Sequence, residues 1–425
     1  MTQTAATVRL GPAEPMPNAT IPEDIISGNI LPRLPAKSLL RFRSVCKHWN
    51  SLIFENPNFA DLHLYFHRQS KCYLLYEAKL ASSRLLSLKI EPYQLDEVKK
   101  YSGGDANLRP IVLGSSNGLV CLQEPSNGHG YALSNPATRA RRLVRAPPAS
   151  RGCTVLCQGF GFSPSCNDYK IVVLYGHESA SYGTAVIPPL VSYAYVFASM
   201  ANKWSRIHLK YSPDGYASIE KSEMPRIASG EAKKLAVQVG ETLYWGLHCW
   251  SSSWFDPILL AFDLTNGSVH SVALPDPLQD QSCRQLGMIN AFFISEIRNR
   301  LCVSWRASTT HMLEVWMLER YGETESWEMF FAIEDVNAYW YRNLLDVKDD
   351  SGRVLLLHDD GYKLITPRCG VDQQVAAVST NLYQQRLQLT GATGYIESLI
   401  SPFTDSKPSR RTRGLKRKKD HVFNE

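Results

Sequence analysis

Between residues 70 and 403 the chain repeats one simple unit, in which a short apolar strand, a polar turn and a second short strand follow one another. Residues 195–197 (Tyr-Val-Phe) lead through Asn202-Lys203 to residues 204–207, and residues 262–264 lead through Asn266-Gly267 to residues 269–272. Such runs, separated by Gly, Asn, Asp and Ser clusters, are typical of antiparallel β-structure. This repeat restricts the body of the chain to an all-β fold.

The units recur roughly six times, at intervals on the order of 40 to 80 residues, which suits four-stranded sheets joined by long loops. Many short antiparallel strands leave many edges to protect, and radial repetition protects them. We therefore predict a β-propeller-like domain over residues 70–403, with a β-sandwich array as the alternative.

Residues 21–54 have a different pattern, because apolar side chains recur there at helical spacing. Pro22 stands where a first helical turn tolerates it, and Pro32 and Pro35 break the chain into further short helices. Three short helices cannot bury all their apolar residues among themselves, since domains below roughly 40 residues seldom fold alone. The segment is either a cap packed on the main domain or a surface reserved for another protein.

The order of residues in this segment closely resembles the F-box, in particular its plant form. A Pro-x-Asp opening at residues 22–24 is followed by Leu34-Pro35 and by residues 38–49, Ser-Leu-Leu-Arg-Phe-Arg-Ser-Val-Cys-Lys-His-Trp. The resemblance implies docking to a Skp-type adaptor and, through it, to cullin and RING subunits. By the same resemblance, the following residues divide between a small internal core and the adaptor groove: Ile21, Pro22, Ile25, Ile30, Leu31, Leu34, Leu39, Leu40, Val45, Cys46 and Trp49.

The body also resembles the plant F-box-associated domain, which is kelch-like, although the recurring diglycine of true kelch repeats is missing. The similar stretches are residues 114–122, 135–139, 159–170, 243–246, 325–328 and 397–402. The resulting fold class is an α+β multidomain chain, with a small three-helix F-box before an all-β domain. We expect a disordered leader at 1–19, the F-box at 20–66, the β domain at 70–403 and a disordered basic tail at 404–425.

Catalysis by this chain is not expected. The sequence has no His-Glu-x-x-His motif and no phosphate-binding loop, and its strand histidines, such as His248 and His270, stand alone. Cys153 and Cys157 lack a second ligand pair at zinc spacing. We therefore expect no cofactor, no metal and no catalytic residue.

Two aromatic stretches are candidates for binding a target protein, because exposed aromatics and arginine are common interface anchors. One contains Trp254, and the other contains Tyr339, Trp340, Tyr341 and Arg342. The alternative is that these aromatic side chains pack between strands.

The net charge of +6 is concentrated at the C-terminus. Seven basic residues form one short run there, Arg410, Arg411, Arg413, Lys416, Arg417, Lys418 and Lys419, so the rest of the chain is close to neutral in total. The run has the composition of a nuclear localisation signal. With no secretory or membrane-spanning pattern, the chain is expected in the nucleus, the cytoplasm or both.

These features predict a substrate-receptor subunit of a Skp-cullin-F-box ubiquitin ligase, whose β domain recruits an unknown target protein. The alternative is an F-box protein acting outside the ligase, as a nuclear scaffold or nucleic-acid-associated factor through its basic tail.

Overall fold

A computed structural model describes most of the chain. The described residues are 21–68, 71–79, 82–89, 94–102, 111–124, 129–148, 153–177, 190–209, 211–212, 235–251, 254–279, 292–307, 312–320, 326–333, 341–346, 353–358, 361–366, 378–380 and 389–403. The predicted leader and basic tail lie outside these residues.

The N-terminal part is helical. Helix α1 (Glu23–Ile25) continues through a wide turn (Ile26–Ile30) and a tight one (Leu31–Arg33), and is followed by α2 (Ala36–Phe42), α3 (Lys47–Phe54) and α4 (Pro57–His67). Pro35 precedes α2 and holds the chain extended, so the first helical stretch ends there. Helix α4 starts with Pro57 in its first turn, and the Asn56 side chain caps it by accepting a hydrogen bond from the Asn58 N–H.

The remaining described residues are mostly strands. In chain order they are β1 (Lys71–Lys79), β2 (Ser82–Lys89), β3 (Gln94–Ser102), β4 (Ile111–Ser116), β5 (Leu119–Gln123), β6 (His129–Asn135), β7 (Ala140–Arg145), β8 (Cys153–Ser163), β9 (Asp168–His177), β10 (Leu190–Ala198), β11 (Lys203–His208), β12 (Tyr211–Ser212), β13 (Val237–Val239), β14 (Thr242–Ser251), β15 (Trp254–Asp263), β16 (Val269–Val272), β17 (Phe292–Ile297), β18 (Arg300–Arg306), β19 (Leu313–Arg320), β20 (Ser326–Ile333), β21 (Tyr341–Asp346), β22 (Val354–His358), β23 (Gly361–Thr366), β24 (Val378–Thr380) and β25 (Leu389–Ile396). A single turn, α5 (Asp276–Gln279), lies between β16 and β17.

The described strands form six sheets. Sheet one has the order β25-β1-β2-β3, sheet two β4-β5-β6-β7, sheet three β8-β9-β10-β11, sheet four β13-β14-β15-β16-β12, sheet five β17-β18-β19-β20 and sheet six β21-β22-β23-β24. Neighbouring strands are antiparallel, except that β12 runs parallel to β16. Sheets two, three, five and six are simple meanders, as expected from the strand–turn–strand units of the sequence, whereas β25 and β12 join sheets one and four out of chain order.

The first strand of each sheet contacts the first strand of the next. Strand β25 contacts β4, β4 contacts β8, β8 contacts β13, β13 contacts β17, β17 contacts β21, and β21 contacts β25 again. The sheets are therefore arranged radially around a closed ring, which is a β-propeller. Sheet one joins the two ends of the domain, because its inner strand β25 comes from the C-terminal end and β1 to β3 come from the N-terminal end.

Apolar layers between adjacent sheets hold the ring together. One layer, which contains the fully buried Trp245, lies between sheets three and four, and others lie between sheets two and three and between sheets four and five. Two outer-strand tryptophans add hydrogen bonds across the same seams: Trp204 Nε1 donates to the Arg145 carbonyl and Trp327 Nε1 to the Ala273 carbonyl, each at 2.8 Å. These apolar and hydrogen-bond contacts attach each of these sheets to its neighbour in the ring.

The two ends of the propeller differ. The first-to-second and third-to-fourth strand connections lie at one end, where α4 also leads into β1, and we call this the helix end. Tight turns with residues at positive φ, such as Asn117, Gly118 and Asn202, form it. The second-to-third strand connections and the connections between sheets lie at the opposite end, which we call the loop end.

Candidate protein-interaction surfaces

The helices share a small apolar core with the propeller. Leu31, Leu39, Ile53 and Phe59 are buried together with Leu399, which follows the last strand. Residue Ala137, in the turn between β6 and β7, packs against the same cluster. The helical segment is therefore docked on the helix end of the propeller, and its core is completed by propeller residues.

A second set of apolar side chains in the same segment stays outside that core. Ile21 is 56% exposed, Ile25 42%, Ile30 38% and Val45 60%. The Nε2 atom of His48 lies 3.2 Å from Glu23 Oε1, which places the start of α3 beside the start of α1. Val45 is therefore brought to the side of the segment that carries Ile21 and Ile25. An exposed apolar group of this kind is typical of a protein-interaction surface.

The eleven residues assigned to adaptor docking from the sequence thus fall into three groups. Pro22 and Cys46 are exposed like the four residues above, and Leu34, Leu40 and Trp49 are half-buried. Leu31 and Leu39 are fully buried, so in this structure they support the surface and do not form it. Cys46 has a local role as well, because its Sγ accepts a hydrogen bond from the Trp49 N–H and caps α3.

Helix α4 is tied to the first helical stretch by a buried histidine. The His63 Nε2–H donates to the Leu34 carbonyl at 3.0 Å, and the His63 ring stacks on His67 with 4.3 Å between ring centres. Burial and the neighbouring His67 lower the pKa of His63 to about 4, so its ring is neutral at cellular pH. The histidine therefore fixes how α4 packs on the end of the first helical stretch.

Asn135 fastens the C-terminal segment to the helix end. Its Nδ2 donates to the Ser398 carbonyl at 2.9 Å and to the Ile400 carbonyl at 2.8 Å, and its Oδ1 accepts from the Ala137 N–H at 2.9 Å. Ser398 in turn donates from Oγ to the Gly118 carbonyl at 3.0 Å. All these polar groups are satisfied by one another, so the network fixes a single path for the chain beneath the helices.

Gly118 is required at its position in this network. Its φ is +83°, and a Cβ built on it would lie 2.3 Å from Ser398 Oγ and 3.5 Å from the nearest Leu64 carbon in α4. A second fastening lies nearby, where the Arg142 guanidinium donates to Ser199 and to the Pro402 carbonyl. Three of the stretches that resemble the F-box-associated domain, 114–122, 135–139 and 397–402, therefore meet at the helix end. Their positions in the sequence did not predict this contact.

No Gly-x-Ser-x-Gly elbow of the hydrolase kind was expected from the sequence, but residues 114–118, Gly-Ser-Ser-Asn-Gly, do fit that pattern. In the structure they form the end of β4 and its turn into β5, not the strand-to-helix turn of that motif. Ser116 Oγ donates to Gln238 Oε1 at 2.7 Å and accepts from the Phe162 N–H at 3.1 Å. The serine joins three inner strands, and both of these hydrogen-bond partners are structural groups of the described strands, neither of them a histidine.

The candidate target-binding residues lie at the loop end, opposite the helices. Trp254 is the first residue of β15, and Tyr341 and Arg342 are the first two of β21. Both strands begin at the loop end, one in sheet four and the other in sheet six. Tyr339 and Trp340 lie outside the described residues. Because these positions come from different sheets of one ring, the fold places them on the same end of the molecule.

The other predicted features are either structural or outside the described chain. His248 is buried and meets the Phe292 ring edge-on, with 5.5 Å between ring centres. Among the described residues no group of three or more His, Cys, Asp or Glu side chains is suitable for a metal ion, and no helix has the length and apolarity to cross a membrane. The seven basic residues of 410–419 are not within the described part.

The chain matches two known protein families. The F-box domain profile matches residues 21–60, and the profile described as the F-box associated beta propeller domain matches residues 67–402.

Similar proteins come from Arabidopsis thaliana. F-box protein At1g33530 is 31% identical over 334 residues, which cover 76% of this chain and 66% of that protein, slightly less than two thirds of its length. F-box protein CPR1 is 27% identical over 356 residues, covering 80% of this chain and 79% of the relative. F-box/kelch-repeat protein At3g23880 is 26% identical over 321 residues, covering 73% and 79%.

The helical segment, the closed ring of sheets and the two matches agree along nearly the whole described chain. This protein therefore belongs to the family of plant-type F-box proteins with an F-box-associated β-propeller domain.

Proposed function

We propose that the chain is a substrate-receptor subunit of a Skp-cullin-F-box ubiquitin ligase. The observation that carries the proposal is the exposed apolar group of the F-box, Ile21, Ile25, Ile30 and Val45. These side chains belong to a segment that already has a core of its own, completed by Leu399, so they are not needed to hold the helices on the propeller. Fully burying such a side chain from water is worth about 1.5 to 3 kcal/mol, so covering one that is already about half-buried is worth about half of that. A groove of a Skp-type adaptor is the partner that the F-box family implies for them.

The propeller supplies the second half of the proposed function. Its helix end is occupied by the F-box and the C-terminal segment, so the loop end and the outer strands of the ring are the surfaces left for a target protein. The chain itself performs no transfer chemistry in this proposal. It holds the target near a ubiquitin-conjugating enzyme carried by the cullin and RING subunits, which raises the local concentration of the acceptor lysine.

The adaptor half of the proposal can be tested by changing Ile25 and Val45 to aspartate in the full chain. Both side chains are exposed, so the thermal midpoint should stay where it is, while co-purification with a co-expressed Skp-type adaptor should be lost. Met329→Asp is the matched control, because Met329 is an exposed apolar residue (39%) on sheet five of the propeller. The control should retain the adaptor fully.

Adaptor binding that survives in the Ile25→Asp/Val45→Asp chain would contradict the assignment of this surface. Charged residues at Leu39 would be a poorer test, because that side chain is fully buried and its replacement would disturb the helical core.

We also propose that the basic run at residues 410–419 directs nuclear import, in keeping with its composition. Truncation after Phe403 should then shift a fluorescent fusion of the chain towards the cytoplasm. Action outside the ligase through this run predicts instead that nucleic-acid binding falls steeply with salt and disappears in the truncated chain.

A further inference from the structure

The neutral total charge of the body hides an uneven distribution over the propeller. Within the described residues, sheets two and three and their turns contain seven lysines and arginines but two acids. The basic residues are Arg139, Arg141, Arg142 and Arg145 in sheet two and Lys170, Lys203 and Arg206 in sheet three, and the acids are Glu124 and Asp168. This part of the ring is strongly positive.

Sheets four and five have a different charge. Sheet four, over residues 235–251 and 254–279, contains acids and neither lysine nor arginine, while the described residues of sheet five contain four arginines and four glutamates. The described residues of sheet one contain six lysines and arginines against four acids, and those of sheet six three against one. The positive excess is therefore largest, though not exclusive, in sheets two and three.

The two acids of the positive sector are already engaged. Glu124 forms an ion pair with Arg141. Asp168 is 7% exposed, accepts a hydrogen bond from the Met200 N–H at 2.8 Å, and interacts with the charges of Arg142 and Lys170. Neither acid neutralises the exposed side chains of Arg139, Arg145, Lys203 and Arg206.

These exposed cations lie on and beside two outer strands that are held in register with each other. Strands β7 and β11 are the last strands of sheets two and three, and neither is paired on its outer side with another described strand. Trp204 of β11 donates to the Arg145 carbonyl of β7. Arg206 lies over the Tyr193 ring, 4.0 Å from its centre, so its guanidinium is held in place at the seam.

Exposed apolar side chains accompany the charges. Leu143 in β7 is 45% exposed, and Met200, in the turn before β11, is 61% exposed. A surface with both cations and apolar contacts suits a protein partner, whereas a purely electrostatic surface would not discriminate among polyanions.

We propose that the outer strands β7 and β11, with Arg139, Arg145, Lys203 and Arg206, form a docking surface for an acidic, extended polypeptide segment of the target protein. This rests on the proposed function, because the partner is taken to be the target. The unpaired outer edges suit an extended chain, and the cations select acidic side chains by charge complementarity. Charged residues also protect outer strands from unwanted pairing with other chains. A negative charge serves that purpose as well as a positive one, and the outer strand β20 carries Glu328. Protection alone therefore does not explain why the charges on β7 and β11 are positive.

The test uses fluorescence anisotropy to measure how tightly a fluorescein-labelled peptide binds the protein. The peptide consists of six Glu-Val repeats, and the protein is the full chain co-purified with its adaptor. Changing Arg145, Lys203 and Arg206 together to serine should weaken binding about tenfold, as expected for three exposed ion pairs. The matched control changes Arg298, Arg306 and Arg320 of sheet five to serine, which removes the same net charge and leaves the basic tail intact. Its affinity should stay within about twofold of the original.

Equal losses in the two triple variants would overturn the proposal, since net charge alone would then explain binding. A DNA duplex of equal charge that binds more tightly than the peptide, and depends more on the three residues, would overturn the assignment to a polypeptide. If the serine variant does not fold, Lys203→Glu alone tests the same point, because Lys203 is exposed at the start of β11. Loss of the adaptor from the unchanged chain would count against the proposed function and not against this surface.

Discussion

At the scale of single residues, the junction between the helices and the propeller depends on buried polar side chains with defined partners. His63 is fully buried, and its hydrogen bond to the Leu34 carbonyl requires a proton on Nε2. A second proton would place a charge in the core beside His67, which is why burial lowers the pKa of His63 to about 4.

This low pKa predicts how stability depends on pH. In the unfolded chain His63 has its ordinary pKa of 6.5, so between pH 6.5 and about 4 the unfolded state binds more protons than the folded state. The contribution of neutral His63 is complete above pH 6.5 and is lost as the pH falls through this window. Thermal melting followed at 222 nm should give a lower midpoint at pH 5 than at pH 7.5.

The variant His63→Gln is the control for this prediction. An amide can still donate to the Leu34 carbonyl but does not titrate, so the difference between the midpoints at pH 5 and pH 7.5 should shrink. An unchanged difference in the variant would show that other groups cause the acid sensitivity.

At the scale of elements, the outer-strand tryptophans connect one sheet to the next. Trp204 and Trp327 are each the second residue of a fourth strand, and each donates its indole N–H to the end of the preceding sheet's outer strand. Trp316 differs, because its indole donates to Glu314 two residues earlier in its own strand. Trp245 of β14 also donates to a neighbouring sheet, at the Gln158 carbonyl, so the indole has an inter-sheet role at three of these four positions and a local role at Trp316.

Replacing Trp204 by Phe should lower the free energy of unfolding by about 1 kcal/mol, since the aromatic packing against Tyr131 and Phe197 is largely kept and one hydrogen bond across the seam is lost. Trp316→Phe should cost less, because its partner is a half-exposed glutamate of the same strand. Denaturant unfolding of both variants measures the difference. Equal losses would indicate that the bond across the seam contributes nothing beyond packing.

The elements themselves were largely predictable from the sequence. Proline placement and helical spacing predicted the short helices, and residue order in 38–49 identified the F-box. Strand–turn–strand units predicted the meanders, and the family profiles confirm the F-box and the β-propeller. Which residues of 21–49 face outward was not predictable, because burial of Leu31 and Leu39 depends on Leu399, more than 350 positions away.

The hydrogen-bond network around Asn135 could not be predicted from the sequence either, because its members are far apart along the chain. Asn135 and Ser398 are 263 positions apart, and neither has a local pattern that names the other. Their stretches were noticed as family markers, but the structure supplies the reason, which is that they close the helix end. Likewise, total charge indicated a neutral body, and the topology was needed to show that the cations gather on two adjacent outer strands.

At the scale of the whole molecule, stability depends on closing the ring with its last strand. Strand β25 pairs with β1 over Lys71 to Glu77 and contacts the inner strands of both neighbouring sheets, β4 and β21. The residues after it complete the F-box core through Leu399 and the fastenings through Ser398 and Pro402. One short segment therefore stabilises both the propeller and the F-box helices.

In a chain ending at Thr380, neither the propeller nor the F-box should therefore fold stably. Without β25 the inner side of β1 becomes an open edge prone to pairing with other chains, and the F-box core loses Leu399. We expect aggregation, no cooperative melting transition and no adaptor binding, although every F-box residue is present. A chain ending at Phe403 is the control, and its midpoint should lie within about 2 °C of the full chain. Adaptor binding by a chain ending at Thr380 would show that the F-box folds independently of the ring.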